Sequence, residues 1–290
     1  MLKLVILIIY FAVLIGIGLY CRKHATDVNG FVLGGRSVGP WLTAFAYGTS
    51  YFSAVVFVGY AGQFGWKYGI AATWAGIGNA IIGSLLAWVV LGRRTRIMSQ
   101  HLDSATMPQY FGKRFGSNPL KIGASVIIFI FLIPYTASLY NGLSRLFGMA
   151  FNIDYSVCII IMATLTAIYV IAGGYMATAI NDFIQGIIML FGIVAVIAAV
   201  IHSKGGFMSA LQGLANVSDP AVSDTPGIFA SFFGPDPFNL LCVVILTSLG
   251  TWGLPQMVQK FYAIDNEASI QKGTVISTIF ALIVLSLIHI

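Results

Sequence analysis

Charge is what this sequence has least of. Asp and Glu number nine in 290 residues, and charged residues of both signs make up 8%, against about 25% in a soluble domain. A water-facing globular surface is thereby excluded. Cysteine is scarce too: Cys21, Cys158 and Cys242 lie far apart, too few and too scattered for a disulfide framework or a thiolate metal site. Acids are missing from the apolar segments except for Asp182, no His-Glu-x-x-His motif occurs, and His202 and His289 stand at the ends of apolar runs. An enzyme built in the membrane on paired acids, a metal or a positioned nucleophile has little to work with. Nor does a ring of charge or a filter repeat mark a channel.

What is present is apolar sequence in long runs: 58% of the residues are hydrophobic. A crossing needs about 20 apolar residues, and eight segments qualify or nearly so: 2–20, 40–62, 69–92, 121–149, 155–173, 178–202, 238–258 and 274–290. The first lacks a small-x-small cleavage site and is followed by Arg22 and Lys23, which makes it a retained helix rather than a signal peptide. The expected architecture is an all-α polytopic membrane protein with about eight transmembrane helices.

The net charge of +6 does not point to nucleic acid, because the basic residues lie between the apolar segments and do not alternate with aromatics. Eleven of the fifteen lysines and arginines, Arg36 and Lys260 among them, fall on one side of the alternating topology. The positive-inside rule then places the N-terminus outside and the loop 92–120 in the cytoplasm. The loop 203–237, with Asp219, Asp224 and Asp236, is the longest external one. The last segment stays apolar to Ile290 with no basic flank, which predicts a chain cut inside or just after its eighth helix.

Two of the segments are interrupted. Gly48-Thr49-Ser50 and Ser53 break the run from Gly39 to Gly62, and Ser248 to Pro255 break the run from Phe238 to Val258. Hydrocarbon tolerates open backbone only where it lines a protected cavity, and paired interruptions are the sequence mark of a transporter's midplane site. Thr49, Ser53 and Phe57 share a helical stripe. The hydroxyls of Thr49 and Ser53 either coordinate a hard cation, which prefers oxygen, or tighten helix packing. Asp182 is an ion-path candidate, since an acid in the membrane is costly; with Gln185 three residues on, it also fits a capping box. Pro134 ahead of Tyr135 is expected to kink its helix, leaving Tyr135 either in the site or against lipid. Trp252 is either a contact at the second break or an interfacial anchor. Arg36 either pairs with an acid to close an inner gate or anchors the topology. No intramembrane lysine or arginine stands out as a partner for a carboxylate.

Three stretches resemble the sodium:solute symporter family, in order and across the whole chain. Phe31 to Arg36 (FVLGGR) is similar to its entry motif, Tyr169 to Leu190 (YVIAGGYMATAINDFIQGIIML) to its GG-x(6–8)-D-x-x-Q-G signature, and Leu254 to Phe261 (LPQMVQKF) to the segment after its second broken helix. The proline and pantothenate transporters are the branch it looks most like. The resemblance implies a leucine-transporter-like fold with two inverted repeats: an extra helix at 2–20, a first repeat over 40–202, and the opening of an incomplete second repeat over 238–290. It implies sodium-coupled uptake of a small organic solute (an amino acid such as proline, pantothenate or a monocarboxylate) across the plasma membrane. The partners would be the solute, Na+ as coupling ion, and the lipid bilayer; proton coupling, a channel and an embedded enzyme are the alternatives.

By the same resemblance the backbone carbonyls of Thr49 and Phe52 bind sodium, and Asp182 passes it toward the cytoplasm. The candidate substrate surface is Ser50, Tyr51, Ser53 and Phe57 at the first break, Tyr135, and Thr251 and Trp252 at the second, with Arg36 and Pro255 as gate residues. Hydroxyl ligands from a helix after 274–290 would complete the principal sodium site. Three positions depart from the family pattern. Proline transporters carry aspartate where Tyr51 stands and tryptophan where Thr247 stands, and galactose transporters carry glutamine where Val56 stands, which disfavours a sugar.

Overall fold

The computed structural model of the chain describes residues 2–52 and 55–288. Apolar runs with good helix formers become helices, and glycines with positive φ divide them into lengths that match a bilayer. α1 (Leu2–Cys21) is the leading helix, and the short α2 (Val28–Leu33) is capped by the Asp27 side chain, which accepts from Gly30 N. α3 (Pro40–Tyr51) is the near half of the first interrupted rod; its far half is a wide π-type turn over Val55–Tyr60 that runs into α4 (Ala61–Tyr68). α5 (Thr73–Gly78) continues through π-type turns to Gly92 and into the polar α6 (Arg93–His101), and α7 (Met107–Phe115) lies before α8 (Asn118–Phe151). Then come α9 (Tyr155–Ser203), α10 (Phe207–Ala215), α11 (Pro237–Gly250), α12 (Pro255–Ala263) and α13 (Glu267–Ile288).

Among the described residues, five helical stretches are long and apolar enough to cross a membrane, and the pair α11–α12, bent by 49°, makes a sixth. Two of the five are too long for one crossing. The stretch 61–101 has 41 residues and α9 has 49; at 1.5 Å per residue both reach at least about 60 Å, twice the hydrocarbon thickness of about 30 Å. Each is broken by a glycine that no other residue could replace. Gly69 (φ 61°) would push a Cβ to 2.1 Å from the Phe229 carbonyl oxygen, and Gly174 (φ 57°) to 2.8 Å from that of Phe31. Division at these glycines, together with the rod made of α3 and α4, gives eight crossings.

Boundaries shift in two places. The eighth helix begins at Glu267 rather than 274, because Asn266 accepts from Ser269 N at 2.9 Å and starts it about two turns early. Its 22 residues are a full crossing, not the short one expected. The expected external loop also contains a helix, α10. α8 runs as one helix through Pro134.

The core surrounds α3, which is held by α9, α12 and α13. Phe45 stacks on Phe280 at 4.6 Å, Tyr47 lies 5.5 Å from Phe261, and Trp88 meets Phe261 edge-on at 5.1 Å. Two glycines let these helices approach. A Cβ on Gly48 would fall 2.4 Å from the Phe280 ring, and one on Gly186 would fall 2.5 Å from the Phe45 ring. α8, by contrast, buries only Ser144.

Candidate cation and solute site at the paired helix breaks

At the first break, α3 ends at Tyr51 and Phe52 leaves helical geometry (φ −88°, ψ 63°). A helix leaves its last four carbonyls without intrahelical donors, so those of Thr49 and Phe52 stand at an end where a hard cation can use them. The Thr49 hydroxyl donates to Phe45 O at 2.9 Å, which leaves its backbone carbonyl and the hydroxyl's lone pairs to act. Ser50 is half-buried. Ser53 lies outside the described residues, as does the Phe57 side chain.

At the second break, α11 ends at Gly250, four residues turn, and Pro255 opens α12 at its first position. A proline there needs no N–H and presets φ, so Pro255 fixes the restart of the helix. The Thr251 hydroxyl donates back to Ser248 O at 2.9 Å and lies beside the Tyr51 phenol. Trp252 is not an interfacial anchor: its indole N–H donates to Ile82 O at 2.9 Å, inside the bundle.

A buried polar junction joins the two breaks. The Tyr51 hydroxyl donates to Asn79 Oδ1 and approaches Thr247 O at 3.4 Å. Asn79 Nδ2 donates to Ala75 O at 2.7 Å and to the Thr247 hydroxyl at 2.9 Å. Three crossings thus meet through one amide, and the two positions where the sequence departs from proline transporters, Tyr51 and Thr247, touch. Asn79 was not among the expected site residues; its only signal was being the one asparagine inside the run 69–92. Gly83 makes room for the junction, since a Cβ there would lie 2.0 Å from the Tyr51 oxygen. Tyr135 is not part of it. That residue stands half-exposed on α8 beside Tyr60, on the far half of the first rod.

Asp182 sits in the middle of the second arm of α9, which removes the capping-box alternative; Gln185 instead donates to the Tyr10 hydroxyl at 2.7 Å. Its carboxylate meets Lys260 Nζ at 3.5 Å. This corrects two expectations. Lys260 is a buried residue, 6% exposed, rather than a loop anchor, and it is the internal cation that the sequence did not reveal. Gly186, one turn beyond Asp182, faces Thr49 and Phe280, so Asp182 sits about 6 Å along α9 from the level of Thr49. Gly186→Val is expected to destabilise the fold by about 1–3 kcal/mol through overpacking and to weaken sodium-dependent stabilisation, as read by thermal unfolding in NaCl against choline chloride. An unchanged sodium response would show that this seam is not the cation's.

Arg36 does not pair with an acid. Its guanidinium donates to the Ser99 hydroxyl and carbonyl and to Tyr262 O, each at 3.2 Å, and to Ser104 O at 2.8 Å. Alongside it, Val38 and Ile264 form a parallel bridge, with Val38 N donating to Ala263 O at 3.2 Å and Asp265 N to Val38 O at 3.0 Å. Arg96 adds bonds to Ile264 O at 2.6 Å and Asp265 O at 2.9 Å. Arg36 is therefore a clasp on backbone carbonyls that ties the near ends of the two broken rods to α6. A lysine lacks the planar fork, so Arg36→Lys is expected to speed proteolysis within 34–39; wild-type cleavage rates would contradict the clasp.

The sodium:solute symporter family model matches residues 31–290. The chain belongs to the sodium:solute symporter family. Family relatives include the osmoregulated proline transporter OpuE of Bacillus subtilis, 31% identical over 261 residues, covering 89% of this chain and 51% of that protein. The sodium/proline symporter of Staphylococcus aureus is 32% identical over 283 residues, with 93% and 51% covered. This chain spans about half the length of the curated relatives it matches. A solved Na+-coupled sialic acid symporter in a substrate-bound, outward-open state superposes with a TM-score of 0.72 at 17% identity, covering 100% of this chain and 62% of that one. That likeness shows a leucine-transporter-like fold; the family and the apolar helices make the chain a multi-pass membrane protein.

Proposed function

We propose that this chain carries the cation site and one wall of the solute site of a sodium-coupled symporter for a small organic solute, and that it is not an enzyme. The observation that carries the reading is the meeting of two broken rods at a buried polar junction, Tyr51–Asn79–Thr247. Open carbonyls at Thr49 and Phe52 supply oxygen to Na+. Ser50, Tyr51, Thr251 and Trp252 face the solute, with Ser53, Phe57 and Tyr135 as further candidates. The N-terminal dipole of α12, opened by Pro255, favours an anionic group on it. Each ligand then strengthens the other's binding, as coupling requires.

The family pattern supports an extra helix at 2–20, a first repeat over 40–202 and the start of a second over 238–290, and the excess of lysine and arginine on one side of the spans supports an N-terminus outside. The named proline transporters among the relatives support an amino acid as solute. The departures at Tyr51 and Thr247 support a solute-binding group different from theirs. Uptake of labelled proline, pantothenate and short monocarboxylates by the full-length gene product, in sodium and in choline, tests the reading. Sodium-stimulated uptake of one of them is expected. Uptake equal in both salts removes the coupling ion, uptake driven by a pH gradient replaces it with a proton, and conductance far above carrier rates makes the protein a channel.

A further inference from the structure

We propose that Lys260 is a tethered counter-cation: its ammonium holds Asp182 while the site is empty, and sodium arriving from the first break displaces it. The inference deepens the sodium reading above and assigns a role to a residue which that reading leaves idle.

The ion pair is built to be broken. It is a single contact to Oδ2 at 3.5 Å, the outer edge of a hydrogen bond. Lysine is a mobile point charge rather than a fork. Nζ rests over the Tyr175 ring at 5.0 Å, a second seat that needs no carboxylate. Lys260 stands on α12, beyond the 49° break from α11, whereas Asp182 stands within a continuous arm. The pair therefore bridges a jointed element to an unjointed one.

The surroundings hold polar atoms that nothing bonds. Buried polar groups are nearly always hydrogen-bonded, yet the Tyr175 hydroxyl and both amide atoms of Asn181 and Gln256 are buried without a partner. Gln256 lies four residues before Lys260, on the same helical face, and Tyr175 is the ring beneath Nζ; Asn181, 1% exposed, is next in sequence to Asp182 and so points about 100° round the helix from it. These neutral oxygens and one carboxylate suit a monovalent cation. Among the described residues no group of three or more His, Cys, Asp and Glu could hold a divalent one. From the first break the route to Asp182 follows the α3–α9 contact, whose tight point is Gly186 against Phe45, Thr49 and Phe280. When sodium takes the carboxylate, Lys260 keeps only its seat over Tyr175 and the ionic tie between α12 and α9 is released.

Two measurements on purified full-length protein in lipid nanodiscs test this without any solute. The first labels wild-type amines with a small acylating reagent in NaCl or in choline chloride at equal ionic strength, and reads the Lys260 peptide by mass spectrometry. Labelling several-fold higher in sodium is expected, with no such rise in Asp182→Asn. Equal labelling in both salts overturns the proposal. The second titrates sodium against thermal unfolding. With its competitor removed, Lys260→Met is expected to reach half-stabilisation at about tenfold less sodium, while Asp182→Asn/Lys260→Met shows no such gain. If Lys260→Met loses stability equally in both salts and keeps the wild-type midpoint, the pair is structural only. Should Lys260→Met fail to fold, the wild-type labelling decides. Failure of sodium-dependent uptake with the labelling response intact would count against the proposed transport, not against this exchange.

Discussion

Asn79→Ala is expected to lower stability more than any other single polar truncation within the first three crossings, and to disturb solute selection with it. Asn79 accepts from Tyr51 and donates to Ala75 O and the Thr247 hydroxyl. Its removal strands a buried phenol, at about 1–3 kcal/mol, and takes the amide donor from the Thr247 hydroxyl, while Ala75 O keeps its bond from the backbone N–H of residue 79. Tyr51→Phe removes one donor and is expected to cost about 1 kcal/mol. Asn79→Asp keeps the shape but replaces the donor to Thr247 with an acceptor, so it should resemble Asn79→Ala more than wild type. Thermal unfolding reads the first effect and competition among labelled solutes reads the second. An Asn79→Ala protein with wild-type stability and an unchanged uptake profile would show that the junction neither holds the breaks together nor touches the solute.

Asp182→Ala is the second. It leaves the Lys260 ammonium buried, at 8% side-chain exposure, without its carboxylate. Breaking one side of such a pair costs about 3–5 kcal/mol, more than an intact pair contributes, because a lone charge is left out of water. Asp182→Ala/Lys260→Met is expected to recover most of that stability without recovering sodium dependence. The conservative Asp182→Asn separates the roles further, since it keeps the volume and removes the charge. Its expected phenotype in the full-length gene product is uptake with a weakened sodium response, measured as initial rate against sodium concentration. An unaltered response would refute an ion role for Asp182, whatever happens to stability.

The breaks were legible in the primary structure because the bilayer is an unforgiving solvent for backbone. A run of Gly, Thr and Ser, or of Gly and Pro, inside an apolar segment has few physical explanations, and both predicted interruptions, at 48–53 and 248–255, fall where helices end. The crossings were legible for the same reason, even where a continuous helical stretch conceals two, as at Gly69 and Gly174. The site residues were less so. Lys260 lies five residues beyond a predicted break, and a count of basic residues treats it like any other cytoplasmic lysine; only the packing of α12 beside α9 carries it to Asp182. Arg36 was read either as an acid's partner or as a topology anchor, yet carbonyls at and just beyond the ends of α6 and α12 satisfy it, because helix ends concentrate unpaired acceptors. Tyr135 had a plausible motif and sits away from the junction.

What the chain of residues determined by itself was where lipid must be met and where it cannot be: eight apolar stretches, two of them interrupted, and a single acid among them. Those are local properties, set by transfer energies and backbone geometry within a few residues. Which polar atoms meet was decided only by the tertiary structure. Asn79 with Tyr51 and Thr247, Lys260 with Asp182, and Arg36 with Ser99, Ser104 and Tyr262 are separated by tens to hundreds of residues. Their pairing follows from glycine-scale approaches between helices, which residue spacing along one helix does not encode.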